Sequence, residues 1–143
     1  MAKKTKTPKP STEVQEKKRR NIKANKRRGS DYERQIAKEL RELGYSGVVT
    51  SRSESKKMDD MKIDLLDTKN ILPCHIQTKR TIKYPNYIEI SKSCPLKDKP
   101  FILFWNVQKP TESTFRSEGE IVILDKSFFY KLLEAYGKSN NHF

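Results

Sequence analysis

The sequence predicts an α/β domain preceded by a basic arm, and three patterns carry that expectation. Met61–Thr81 reads as two strands of one hairpin, with apolar and polar residues alternating on either side of a turn. Two further segments, near Asp31 and Asp125, have apolar residues at the three- and four-residue spacing of an amphipathic helix. Between these lies Phe101–Val107 (FILFWNV), a continuous apolar run typical of a strand covered on both faces.

The chain has 143 residues, enough for one domain with a modest core, and a formal net charge of +13. That charge is unevenly placed. Residues 1–28 hold twelve Lys and Arg against Glu13 and Glu16, a net of +10, while the remaining 115 residues carry only +3. Residues 1–28 are therefore read as a nucleic-acid-binding arm and residues 29–143 as the folded domain. Met1–Pro10 has too few apolar residues to fold alone. Ser11–Arg28 contains helix formers, but Val14 and Ile22 are almost its only anchors, so the arm is expected to be disordered or a frayed helix. Lys17, Lys18, Arg19 and Arg20, with Arg27 and Arg28, are the expected phosphate contacts. The bland alternative is a solubilising or targeting tail.

Gly29-Ser30 marks the expected boundary. Tyr32, Ile36, Ala37, Leu40 and Leu43 then form a helical stripe closed by Gly44. Ser30 with Glu33 makes a capping box, and on spacing alone capping is the better account of Glu33. Val48-Val49-Thr50 is a short strand, followed by a polar loop, Arg52–Lys57, that runs into Met58-Asp59-Asp60. Lys62–Leu66 and Leu72–Lys79 form the hairpin around Asp67-Thr68-Lys69-Asn70. Pro85–Ser93 fits either a helix or a strand. After Phe101–Val107 come a loop over Lys109–Gly119, a strand at Ile121–Leu124 and a closing helix capped by Asp125 or Ser127. Phe128, Phe129, Leu132, Leu133 and Tyr136 form its apolar side.

The hairpin holds the chemistry. In its second strand Cys74, Ile76 and Thr78 share one face while His75, Gln77 and Lys79 share the other. If Asp64 on the neighbouring strand faces the same way, an acid, an amide oxygen and a lysine meet at one spot. Such a group could hold a divalent cation and a phosphate together. His75 is read as a surface residue rather than a ligand. Cys74 and Cys94 have no disulfide or zinc spacing, which points to a reducing compartment. No apolar run approaches membrane-spanning length and the N-terminus lacks a signal-peptide core, so an intracellular, cytoplasmic protein is expected.

RGSDYERQIAKELRELGY, a strand leading into RS, then KID and HIQTK resemble the archaeal-type Holliday-junction resolvases of the PD-(D/E)XK nuclease superfamily. The likeness covers about Arg28–Lys79. It implies a restriction-endonuclease-like core, a mixed sheet flanked by helices, and an endonuclease acting on branched DNA as a homodimer with Mg²⁺ or Mn²⁺. It also implies roles for Glu33 and Asp64 as metal-binding acids, for Lys79 at the phosphate, and for Arg52 and Ser53 near the scissile bond. Arg80 joins the expected nucleic-acid contacts. Gln77 departs from the pattern, which has a carboxylate there. Either Glu33 makes up the deficit, a nearby Asp59, Asp60 or Glu89 has taken over, or the chain binds DNA without cutting it.

Overall fold

The computed structural model describes residues 11–54 and 56–141, without the side chains of residues 53, 54 and 59. Five strands, β1 (Val48–Thr50), β2 (Leu65–Asp67), β3 (His75–Thr81), β4 (Phe101–Pro110) and β5 (Phe115–Ile123), form one sheet in the order β1-β2-β3-β4-β5. Only β3 and β4 pair in parallel; the other neighbours are antiparallel. A parallel pair requires a crossover, and α4 (Tyr87–Ser93) supplies it, docked by the Tyr87 hydroxyl donating to the Phe101 carbonyl at 2.7 Å. The result is the expected mixed sheet with helices on both faces.

Each face has its own core. Tyr32, Ile36, Ala37 and Leu40 of α1 (Thr12–Glu42) pack with Val48, Leu65, Ile76 and Ile102, and Phe128 of α5 (Lys126–Ser139) joins them. On the other face Ile63, Tyr87, Cys94, Phe101 and Leu103 cluster, with Met58 of α3 (Lys56–Asp60) against them. Phe101–Val107 is the buried strand its sequence suggests, and among the described residues no helix is long and apolar enough to cross a membrane.

Several expectations change. The first helix starts at Thr12 and runs through Gly29-Ser30 without a break, so Ser30 is not its cap. Residues 12–28 are thus helical rather than disordered, while residues 1–10 lie outside the described range. The reason is cooperativity: once the Tyr32–Leu40 stripe is packed, adding Lys, Arg and Glu costs no new nucleation. Gly29 opposes this by only about 1 kcal/mol. Residues 11–27 remain exposed along their length.

The polar segment after β1 forms two short helices, α2 (Ser51–Glu54) and α3, instead of a loop. The first hairpin strand begins later than its alternation implied, because Lys62 has a left-handed φ of 67° that extended backbone does not allow. The turn behaves as expected: Asp67 accepts from the backbone N–H groups of Lys69, Ile71 and Leu72 at 2.8–2.9 Å. Burial pushes the Asp67 carboxyl up, but these N–H bonds outweigh it and hold the group below its ordinary value. Pro85–Ser93 resolves to a helix capped by Asn86, which accepts from Glu89 N–H at 3.3 Å. Lys109–Gly119 is mostly strand, turning tightly at Thr111–Thr114. Its charged residues hid an exposed edge strand that has no buried face to impose alternation. Asp125 caps α5 through Phe128 N–H at 2.9 Å.

Candidate active site

The geometry of the site follows from one register. Leu65 lies opposite Ile76 in the β2–β3 pair, and both side chains enter the α1-side core. Gln77 and Lys79 alternate with Ile76 along β3, and Asp64, just before β2, joins them in one cleft. The backbone fixes Asp64 from both sides: its N–H donates to Ile76 O at 2.9 Å and its carbonyl accepts from Ser51 N–H at 2.8 Å. Asp64 Oδ2 also accepts from Thr78 N–H at 2.8 Å. The carboxylate is thus oriented before any ligand arrives.

Glu33 reaches the same place from α1. It lines one cleft of about 350 Å³ together with Asp64, Gln77, Lys79, Arg52 and Arg80. Its side chain is only 5% exposed and pairs with Arg52, whose Nη2 lies 3.2 Å from Glu33 Oε1. A buried carboxylate needs such a partner, because desolvating an uncompensated charge costs several kcal/mol. Glu33 is therefore a site-facing acid and not a helix cap.

Gln77 is the residue whose environment asks for something. It is 6% exposed, and its Oε1 has no hydrogen-bond partner among the described residues. An acceptor left in that state costs about 1–3 kcal/mol, so it invites a cation or a donor. Among the described residues no group of three or more His, Cys, Asp and Glu is placed to hold a metal ion. A cation here would rest on Asp64, the Gln77 amide oxygen and Glu33. That set is all oxygen, which fits a hard ion such as Mg²⁺ that keeps several waters.

Other expected residues fall in different places. Arg80 lines the cleft, and Arg28 lies just outside it with its guanidinium 4.7 Å from the centre of the Phe115 ring. Lys17, Lys18, Arg19, Arg20 and Arg27 are exposed along the first half of α1. The Ser53 side chain lies outside the described residues. His75, although on the Gln77 face, is taken by Asp98 at 2.8 Å and does not line the cleft. That bond from His75 holds the exposed Asp98 carboxyl below its ordinary value. Asp60 and Glu89 are exposed and stand outside the cleft, so neither replaces the missing carboxylate; the Asp59 side chain is outside the described range.

Four cleft residues, Gly29, Lys62, Thr78 and Thr81, escaped the sequence reading as site residues, and two of them shape the site. Alternation assigns Thr78 to the opposite face, yet its backbone N–H at 2.8 Å and its hydroxyl at 3.4 Å both donate to Asp64 Oδ2. Lys62 looked like a solvent-facing strand residue, but its left-handed backbone turns the chain there and it lines the cleft. No local signal in the sequence marks either.

No curated protein and no solved structure matches the chain. A family model does, that of the archaeal Holliday junction resolvase (Hjc), over residues 24–96, from the exposed half of α1 to just past α4. On that match, which spans half of its length, the chain belongs to the archaeal Holliday junction resolvase family.

Proposed function

We propose that the protein is a metal-dependent endonuclease that cuts four-way DNA junctions inside the cell. The observation that carries this reading is the meeting of Glu33, Asp64, Gln77 and Lys79 in one cleft, bordered by Arg52 and Arg80. Asp64, Gln77 and Glu33 would hold the ion, Mg²⁺ or Mn²⁺. When bound, the ion supplies an activated water and neutralises charge building on the phosphate. Thr78 keeps Asp64 aimed without rearrangement. Lys79 places a fixed positive charge beside the reacting phosphate oxygens. Arg52 compensates Glu33 at 3.2 Å and would turn to a phosphate if a cation took up that acid. Lys62 and Arg80 continue the positive rim along the DNA backbone, and Lys17–Arg20, Arg27 and Arg28 extend it. These contacts position the duplex without reading its sequence.

Cutting a junction symmetrically calls for two sites, hence a two-fold homodimer. Because β4 is taken up in the core, the closing helix is the better interface: Phe129, Leu132, Leu133 and Tyr136 are all exposed on α5. The decisive experiment incubates the protein with a four-way junction, duplex and single strand, with and without Mg²⁺. Wild type should nick the junction only with metal, while Asp64→Ala and Lys79→Ala should bind it and leave it intact. Wild-type cleavage rates in either variant would remove the site assignment. Gln77 favours a second reading, a protein that binds junctions without cutting. On that reading wild type too would bind and fail to cleave.

A further inference from the structure

Beside the cleft, and sharing Arg80 and Thr81 with it, lies a second cavity of about 330 Å³. Four elements wall it: α1 through Asn25 and Arg28, the exit of β3 through Arg80 and Ile82, β4 through Gln108, and β5 through Phe115. The β3 exit is pinned, since the Trp105 indole N–H donates to both Thr81 O and Thr81 Oγ1 at 3.1 Å. Gln108 sits at a register shift between β4 and β5, just after Val107. Irregularities of this kind re-aim a side chain and concentrate beside active sites.

The polar groups here are unusual. Gln108 is 6% exposed and its Nε2 is used, donating to Asn106 Oδ1 at 2.7 Å. Its Oε1 has no partner among the described residues, and neither does the buried Nε of Arg80. The walls of one cavity therefore combine an unmet acceptor, an unmet donor, an apolar surface from Ile82, and the Arg28 guanidinium over the Phe115 ring.

We propose that this cavity receives one unstacked nucleobase of the DNA bound in the neighbouring cleft. The proposal rests on the nuclease reading for the presence of DNA, but not on catalysis. A base carries donors and acceptors on one edge and a π-face on the other side, and each has a counterpart here. Guanidinium and aromatic planes are the surfaces on which unpaired bases stack. A backbone phosphate fits worse, because the Gln108 carbonyl oxygen would face its anionic oxygens and Ile82 would desolvate them. Nucleotides at a branch point are the least costly to unstack, having lost part of their pairing and stacking. The cavity then selects for branched DNA over continuous duplex, next to the bond to be cut.

The test measures binding in Ca²⁺ without Mg²⁺, so that failure to cleave does not affect the readout. A series of four-way junctions carries a single abasic site at each nucleotide around the branch point in turn. The expected result is one position at which base removal weakens wild-type binding about fivefold or more, the scale of a lost base–aromatic stack. Phe115→Leu and Phe115→Ala should weaken binding to the intact junction similarly and add nothing on that abasic junction. Circular dichroism establishes that the variants are folded, and the abasic series with wild type stands even where they are not. If no abasic position matters, the proposal is overturned. It is equally overturned if Arg28→Gln lowers the slope of log K against log[salt] by about 1 while the abasic series is flat, because the cavity then holds a phosphate. Junction cleavage that persists alongside a flat abasic series sinks the base pocket and spares the nuclease.

Discussion

Replacing Gln77 by Glu tests whether residue 77 truly faces Asp64 and a cation. The change keeps shape and volume, so packing terms drop out. Residues 64 and 77 line one cleft from neighbouring segments of the sheet, and side chains of such cross-strand neighbours stand about 5 Å apart. At an effective dielectric constant of about 20, two carboxylates at that distance repel by about 3 kcal/mol. This would raise the pKa of the introduced carboxyl by about 2 units from its ordinary value near 4.3, and burial at a 6%-exposed position pushes it the same way. The sign follows from linkage. A folded-state pKa above the unfolded one leaves the acid protonated and harmless at low pH, and the penalty grows as pH rises from about 4 through the folded value. Without metal, the variant should match wild type near pH 4.5 and melt about 10 °C lower at pH 7.5, at roughly 4 °C per kcal/mol. Millimolar Mg²⁺ should then restore most of that loss and shift wild type much less. Cleavage should persist at lower metal concentration than wild type needs. Equal melting in EDTA at both pH values would mean residue 77 does not share a water-poor face with Asp64. Equal metal-induced shifts would take it off the cation.

Two further outcomes are expected. Removing residues 1–28 should leave the fold intact, since residues 11–27 are exposed, but should lower the salt slope of DNA binding by about 5 or more if six phosphate contacts are lost; an unchanged slope would assign the arm to another task. Leu133→Glu, on an exposed apolar face of α5, should convert a dimer to monomer in analytical ultracentrifugation without lowering the melting temperature, and a monomeric wild type would dismiss the interface.

The helix stripe Tyr32–Leu40, the buried strand from Phe101 and the turn at Asp67 were legible because each rests on local chemistry: periodicity, an unbroken apolar run, a side chain that bonds its own backbone. The shared face of Asp64 and Gln77 was legible for the same reason, as strands alternate with period two. What stayed hidden depends on contacts far apart in sequence. Glu33 looks like a cap until the helix is seen to continue past Ser30, and its partner Arg52 stands nineteen positions away. Thr78 is assigned to the far face by alternation, whereas its backbone N–H and its hydroxyl both reach Asp64. The edge strand β5 has no buried face, so its composition resembles that of a loop. Gln108 and Phe115 meet Arg28 only after the sheet has formed.

The uninterrupted α1 gives the arm a property that a loose tail would lack: a fixed distance from the cleft. An α-helix advances 1.5 Å per residue and turns 100°. Lys17 therefore stands about 24 Å from Glu33 along the axis, roughly seven base pairs of duplex at 3.4 Å each. A flexible tail of the same charge would raise local concentration and nothing more. On the nuclease reading, a rod would instead set which stretch of a DNA arm meets its basic residues while a given phosphate sits in the cleft. Inserting seven residues near Gly29 would carry those basic residues about two turns, about 10 Å, further from the cleft. If the arm binds DNA, the first half of the helix would act as a ruler.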